Sequence, residues 1–243
     1  MSRFYAPKEN IKGDLVYIEG REARHILNVM RLGESDKVVV FDGTGKEYTG
    51  FIKQAKTKSL VVEIITMKTP KAECLPEITL AQAIPKKEKM DYIVEKATEL
   101  GARKIVPVIS ERTVVKPDEK KALDRVERWK KIAKEAAKQC GRTDVPEVEG
   151  VLKFYNAACN LDKFDLSLIG CLSDDSVRLR DAISGFKGGS VIIFIGPEGD
   201  FTPDEITMAK NAGCKSVSFG SRVLKSDTAG LFALSVLNYE FSR

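Results

Sequence analysis

The chain has 243 residues, 43% hydrophobic and 31% charged, with 40 basic and 35 acidic side chains and a net charge of +5. This composition fits one large or two small folded domains and excludes a disordered or collagen-like chain. No apolar run approaches the roughly 20 residues that a bilayer crossing needs, and Met1-Ser2-Arg3-Phe4-Tyr5 lacks a signal peptide's apolar stretch. A cytoplasmic protein with no membrane partner is therefore expected. One histidine and five scattered cysteines (74, 140, 159, 171 and 214) without a Cys-x-x-Cys argue against a metal site. Reduced, buried thiols are the expectation for those cysteines.

Residues 1–70 read as β-rich. Leu15 to Glu19, Lys37 to Phe41, Glu47 to Gln54 and Leu60 to Thr66 are short, β-branched or alternating segments. Asp42-Gly43-Thr44-Gly45 is placed to turn a hairpin, and a short helix is predicted over Arg21 to Val29. Several short strands in so few residues suggest a small barrel. Thr69 to Pro76 reads as a linker.

From residue 77 the pattern changes to alternating strands and helices, which implies a mostly parallel sheet and an α/β domain assigned to 71–243. Strand Ile78 to Ala83 precedes a helix with Met90, Ile93, Val94, Ala97 and Leu100 at helical spacing, ended by Gly101. Strand Lys104 to Ile109 leads to a long helix, about Asp118 to Cys140. Its predicted inward stripe is Trp129, Ile132, Ala133, Ala136 and Cys140. Strands follow at Leu166 to Ile169, Val191 to Ile195 and Ser216 to Phe219. The last helix, Thr228 to Tyr239, is apolar on several sides, which suggests burial against the sheet or in a dimer.

Two turns concentrate the chemistry. The strand ending at Ile195 enters Gly196-Pro197-Glu198-Gly199-Asp200, and a helix then starts with Thr202, Pro203 and Glu205 in capping-box order. The strand ending at Phe219 enters Gly220-Ser221-Arg222-Val223-Leu224-Lys225-Ser226-Asp227-Thr228-Ala229 and a second helix. Glycine turns at strand ends are where α/β proteins bind ligands, because backbone can approach closely there. A purely structural turn is the competing reading. No G-x-G-x-x-G occurs, so dinucleotide binding loses its main support.

Together these turns resemble the C-terminal motifs of the SPOUT methyltransferases. The match is to the bacterial ribosomal RNA small subunit methyltransferase E family, which methylates N3 of a uridine in 16S ribosomal RNA. That family typically reads G-P-E-G-G and L-G-x-R-I-L-R-x-E-T-A at these places. Gln82 to Met90, Glu99-Leu100-Gly101, Ser110-Glu111-Arg112, Trp129 to Ala133, Gln139 to Arg142 and His25 to Leu32 also fit, so the resemblance spans nearly the whole chain. Asp200 departs from the usual second glycine, and Lys225-Ser226-Asp227 stands where Arg-Thr-Glu is common. Lysine lacks the bidentate fork of arginine.

The resemblance implies a trefoil-knotted SPOUT α/β domain preceded by a PUA-like RNA-binding β-barrel, acting as a homodimer on 16S rRNA of the small ribosomal subunit, in its decoding region. It implies S-adenosylmethionine as cofactor, held by Leu172, Ile195, Gly196, Pro197, Glu198, Gly199, Phe219, Gly220, Val223, Leu224, Lys225, Thr228 and Ala229. Arg112, Arg142 and Glu198 become candidates for catalysis. Arg3, Arg24, His25, Arg31, Arg112, Lys116 and Arg142 become candidates for RNA contact. The bland reading of the basic residues is solvated surface charge. His25, the sole histidine, suits RNA contact or packing better than acid–base work in its Arg24-His25-Ile26 setting. Residues 1–70 carry 12 basic and 9 acidic side chains, 71–150 carry 18 and 15, and 151–243 carry 10 and 11. A polyanion is therefore expected on the N-terminal part. Ribose 2′-O methylation and a non-catalytic RNA-binding assembly factor remain as alternatives.

Overall fold

The computed structural model describes residues 3–69, 76–87 and 89–241; most of the expected linker, 70–75, lies outside them. The chain forms two compact units, Met1–Ala72 with Ala137–Val145, and Glu73–Ala136 with Pro146–Arg243. The first unit is thus not contiguous in sequence.

The first unit is a mixed six-stranded sheet. Its strands are β1 (Arg3–Tyr5), β2 (Ile11–Lys12), β3 (Leu15–Glu19), β4 (Lys37–Phe41), β5 (Glu47–Lys56) and β6 (Ser59–Lys68), in the order β1-β4-β5-β6-β3-β2. Only the β1–β4 pair is parallel. Period-two alternation sends Val16 and Ile18, Val38 and Val40, and Leu60 and Val62 into one core with Phe4 and Ile52. The predicted helix over Arg21 to Val29 is one α turn, α1 (Gly20–Arg24), that widens into a π turn over His25–Val29.

The β4–β5 hairpin turns where expected. Asp42 is only 3% exposed. Its Oδ1 accepts from the Thr44 N–H and hydroxyl, both at 2.8 Å, and from the Lys46 N–H at 3.3 Å. Its Oδ2 accepts from the Tyr48 hydroxyl at 3.3 Å. One carboxylate thus satisfies four donors. Burial, reinforced by Asp42, raises the Tyr48 pKa above that of a free phenol.

The second unit is built on a parallel sheet. In chain order it comprises β7 (Glu77–Ala83), α2 (Lys89–Glu99), β8 (Lys104–Ile109), α3 (Glu119–Cys140), β9 (Glu147–Val148), β10 (Leu152–Lys153), α4 (Phe154–Ala158), β11 (Leu166–Gly170), β12 (Val177–Arg178), α5 (Leu179–Ala182), β13 (Ser190–Ile195), α6 (Pro203–Asn211), β14 (Lys215–Ser218) and α7 (Ser226–Phe241). The strand order is β10-β8-β7-β13-β11-β14-β12, with β9 also on β8. Central strands of such a sheet are covered on both faces, and Val191 to Ile195 are all buried. Ile192 and Phe194 join the core under α4 and α6, and α7 packs against β7, β13 and α2.

The inward stripe of α3 holds for Trp129, Ala133 and Ala136, while Ile132 is half-buried. Cys140 is a correction: it is exposed. The helix's last turn, from Ala137, belongs to the other compact unit, so the stripe ends at Ala136. Cys159 is also exposed, against the expectation of buried thiols; Cys171 and Cys214 are buried. Burial pushes the Cys214 thiol up to about 12, which leaves it inert. Among the described residues no helix is long and apolar enough to cross a membrane.

Asp42→Ala strands three backbone or hydroxyl donors and the buried Tyr48 hydroxyl. Leaving buried groups unpaired costs about 1–3 kcal/mol each without simple additivity. A loss of about 2–4 kcal/mol in denaturant unfolding is expected, with Asp42→Asn losing less.

Candidate functional site

Gly170, Ile195 and Ser218 end three neighbouring parallel strands, β11, β13 and β14. The loops leaving those ends surround a cavity of about 250 Å³. Its lining includes Leu172, Ile195, Gly196, Pro197, Glu198, Phe219, Gly220, Val223, Leu224, Lys225 and Ala229. The two glycine turns, separated in sequence, therefore make one pocket. Gly199 and Thr228 stand outside its lining. Gly170, Cys171, Asp200, Ser218, Arg222 and Ser226 line it without having been singled out as ligand contacts.

A buried hydrogen-bond chain joins the turns. The Ser226 hydroxyl donates to the Gly196 carbonyl at 2.5 Å and accepts from Gln82 Nε2 at 2.9 Å. Gln82 also donates to Ala83 O at 3.1 Å and is fully buried. The ends of β7 and β13 are thereby tied to the start of α7. Sequence carried a faint signal for this, since a glutamine inside the apolar strand β7 needs partners.

Asp200 explains its own departure from the family pattern. Its φ is +59°, a left-handed conformation that glycine adopts freely and Asp tolerates better than most residues. The carboxylate then adds contacts glycine cannot: Oδ1 accepts from the Phe201 N–H at 2.8 Å and Oδ2 from the Leu172 N–H at 3.0 Å. The turn after β13 is thus fastened to the loop after β11. A Cβ on Gly196 would come 3.0 Å from Asp200 Oδ1 and 3.2 Å from both Asp200 Cα and the Phe201 nitrogen. Any side chain at 196 would thus crowd the turn and require Asp200 and Phe201 to shift by a few tenths of an ångström.

Arg112 braces the same turn from the far side, donating to the Gly199 carbonyl at 2.7 Å and the Phe201 carbonyl at 3.3 Å. The capping box of α6 is complete, with Thr202 and Glu205 bonded reciprocally. Glu205 also accepts from the Glu111 N–H at 2.8 Å. Glu198 is exposed on the rim and accepts from the Lys86 N–H at 3.0 Å. Asp227 pairs with Lys89 of α2 at 3.2 Å, while Lys225 stays exposed at the pocket. Lys116 donates to the Glu111 carbonyl at 3.2 Å.

The remaining candidates lie in the first unit. Arg3 donates to the Gly141 carbonyl at 2.5 Å and the Arg142 carbonyl at 3.3 Å, and pairs with Glu47 at 3.0 Å. Arg142 is paired with Asp144. Both guanidinium groups therefore serve their own unit's structure. Arg24 is exposed and reaches the Gly20 carbonyl at 3.4 Å. Arg31 is exposed, and His25 meets Phe4 edge-on at 6.3 Å between ring centroids. Among the described residues no three His, Cys, Asp or Glu side chains group to hold a metal.

An RNA methyltransferase domain model matches residues 73–238, and an RNA methyltransferase PUA domain model matches residues 18–65. The fold and pocket thus define an α/β RNA methyltransferase carrying a PUA domain. The ribosomal RNA small subunit methyltransferase E of Bacillus subtilis is 33% identical over 92% of this chain and 89% of its own. That of Mycobacterium tuberculosis is 28% identical over 99% and 92%. The corresponding Neisseria gonorrhoeae structure, bound to S-adenosyl methionine, is 32% identical with a TM-score of 0.88 over 99% of this chain and 98% of that one. A Legionella pneumophila methyltransferase structure with bound cofactor SAM is 34% identical with a TM-score of 0.87 over 98% and 97%. The chain belongs to the ribosomal RNA small subunit methyltransferase E family.

Asp200→Gly keeps the left-handed backbone but releases two amides. The Leu172 and Phe201 N–H groups should exchange with deuterium about tenfold faster, the equivalent of losing one hydrogen bond of about 1.4 kcal/mol. Asp200→Ala should lose more stability than Asp200→Gly, because it adds backbone strain of about 1 kcal/mol. The reverse order would overturn the role assigned to φ.

Proposed function

We propose that this protein transfers a methyl group from S-adenosylmethionine to N3 of a uridine in 16S ribosomal RNA, in the decoding region of the small subunit. The observation that carries the reading is the single pocket formed by both glycine turns at adjacent parallel strand ends. Its lining suits a nucleoside. Ile195, Leu224 and Ala229 supply apolar walls, and a Cβ on Gly220 would meet nothing within 4 Å, so open space reaches the backbone there. The bound relatives support S-adenosylmethionine as the occupant.

The cofactor supplies a methyl group already activated on a sulfonium, so the chain needs no nucleophile of its own. Its residues bind, orient and move one proton. Ser226, Gln82 and Asp200 hold the pocket walls in register, which is the positioning that lets two reactants meet in line. Arg112 fixes the carbonyls of the 199–201 turn. Glu198, the exposed acid on the rim, takes the N3 proton in this reading; its backbone anchor at Lys86 keeps the carboxylate in place. Arg24, Arg31 and His25 belong to an RNA surface on the PUA-containing unit, in keeping with the 12 basic and 9 acidic side chains of residues 1–70.

The trefoil knot implied by the motifs is part of this proposal, as is a homodimer built on α7. Phe232 and Tyr239 of that helix are 39% and 85% exposed, apolar surface that a second copy would cover. A ribosomal substrate places the protein in the cytoplasm.

Tritium transfer from labelled S-adenosylmethionine to 16S RNA, followed by nucleoside analysis, should yield 3-methyluridine. A 2′-O-methylated nucleoside would redirect the assignment. Glu198→Gln keeps an acceptor for the Lys86 N–H but removes the base, so kcat should fall about 100-fold or more with cofactor affinity retained; unchanged kcat sinks that role. Gly196→Val and Gly220→Val should both lose cofactor binding, the first by disrupting the turn and the second by filling open pocket space at a left-handed φ of +112°. RNA affinity should fall steeply with added salt while cofactor affinity changes little.

A further inference from the structure

A second recess, of about 350 Å³, lies in the same α/β unit. It opens at the carboxyl ends of β8 and β10, at Ile109 and Lys153, and is lined by Glu111, Lys116, Tyr155 and Glu205. Hydrogen bonds link its lining to the turn that lines the first cavity. Glu205 belongs to the capping box that follows the glycine turn and is bonded to the Glu111 N–H, and the neighbouring Arg112 donates to Gly199.

The lining combines three chemistries. Tyr155 is 63% exposed, an aromatic face left to water. The neighbouring Cys159 side chain raises the phenol pKa. Lys153 is exposed and has no ion pair among the described residues, and Lys116 spends one of its three N–H donors on the Glu111 carbonyl. The Glu205 carboxylate is already engaged by backbone N–H groups, so it offers little to a ligand. Glu111 is exposed and presents acceptor oxygens.

We propose that this recess is a subsite for one unpaired nucleotide of the RNA substrate, flanking the methylated one; the proposal rests on the methyltransferase reading. The base stacks on Tyr155, the phosphate is met by Lys153 and Lys116, and Glu111 accepts from a base N–H. A bare anion would use only the lysines, and Glu111 would repel it. An aromatic platform beside cations is how splayed single-stranded bases are held.

The test uses the full chain with a fluorescein-labelled ten-residue oligouridylate and with a 16S RNA transcript. Tyr155→Ala should weaken RNA binding about tenfold, the loss of one stacked base, while Tyr155→Phe stays within about twofold of the parent because the ring is kept. Lys153→Ala and Lys116→Ala should each flatten the plot of log affinity against log salt by about 0.7, one single-strand phosphate contact. Lys153→Glu, which leaves α4 intact, should weaken binding further than Lys153→Ala. KM for RNA should rise more than kcat falls, and the cofactor dissociation constant should not move. Wild-type methyl transfer combined with RNA affinity and salt slope unaltered in Tyr155→Ala/Lys153→Ala overturns the subsite alone. RNA binding that depends on Tyr155, without methyl transfer to any RNA, overturns the enzymatic reading alone.

Discussion

The site depends on one hydroxyl. Ser226 opens α7, and its Oγ touches both the Gly196 carbonyl and the Gln82 amide. It joins two turns that are more than twenty residues apart in sequence and line one pocket. Because the bonds are buried, they hold more tightly than surface bonds, and their loss would leave a carbonyl without its partner. The hydroxyl matters here more than the residue's size: a threonine would carry the same donor and acceptor.

Gly230 shows what the lock demands of its surroundings. Glycine inside a helix is less favourable than alanine by about 1 kcal/mol, so propensity alone argues against it in α7. A Cβ there would stand 2.7 Å from Gln82 Oε1 and 3.6 Å from Leu80 Cδ1. Overpacking of that kind costs about 1–3 kcal/mol, so close approach outweighs propensity. The helix comes near enough to the sheet for Ser226 to reach across. Gln82 Oε1 remains without a hydrogen-bond partner among the described residues, at zero exposure. A buried acceptor next to the pocket is tolerable where it orients an amide whose other end makes two bonds.

Regular elements were legible from residue pattern because their signals are local. Leu15 to Glu19, Lys37 to Phe41 and Lys104 to Ile109 are strands at the expected bounds, and the Thr202–Glu205 box begins α6. The two-residue strands β2, β9, β10 and β12 and the short helices α4 and α5 were not legible. Two to five residues carry no usable period, and such elements exist because a neighbouring strand supplies their partners. Most of the pocket lining was legible through the glycine turns. Asp200's part was not, since it acts through a loop-to-turn bond to the Leu172 N–H that spans 28 residues. The exposed C-terminal end of α3's stripe, Cys140, was not legible for the same reason. Helical spacing gives the face of a helix, but not where along its length the neighbour stops.

The same non-local bonds decide which arginines are available for chemistry. A lone arginine near a motif reads equally well as a substrate contact or a brace. Arg112 is a brace on the 199–201 carbonyls and Arg3 a brace on Gly141 and Arg142, each through charge-assisted donors. A guanidinium so engaged has fewer donors left for phosphate. Around the α/β unit's strand ends Lys153, Arg222 and Lys225 are exposed and have no ion pair among the described residues. A lysine is a point charge on a flexible stem and tolerates many phosphate geometries, whereas an arginine fork selects one. In this chain Arg3 and Arg112 brace the protein, while Lys153, Arg222 and Lys225 face the solvent.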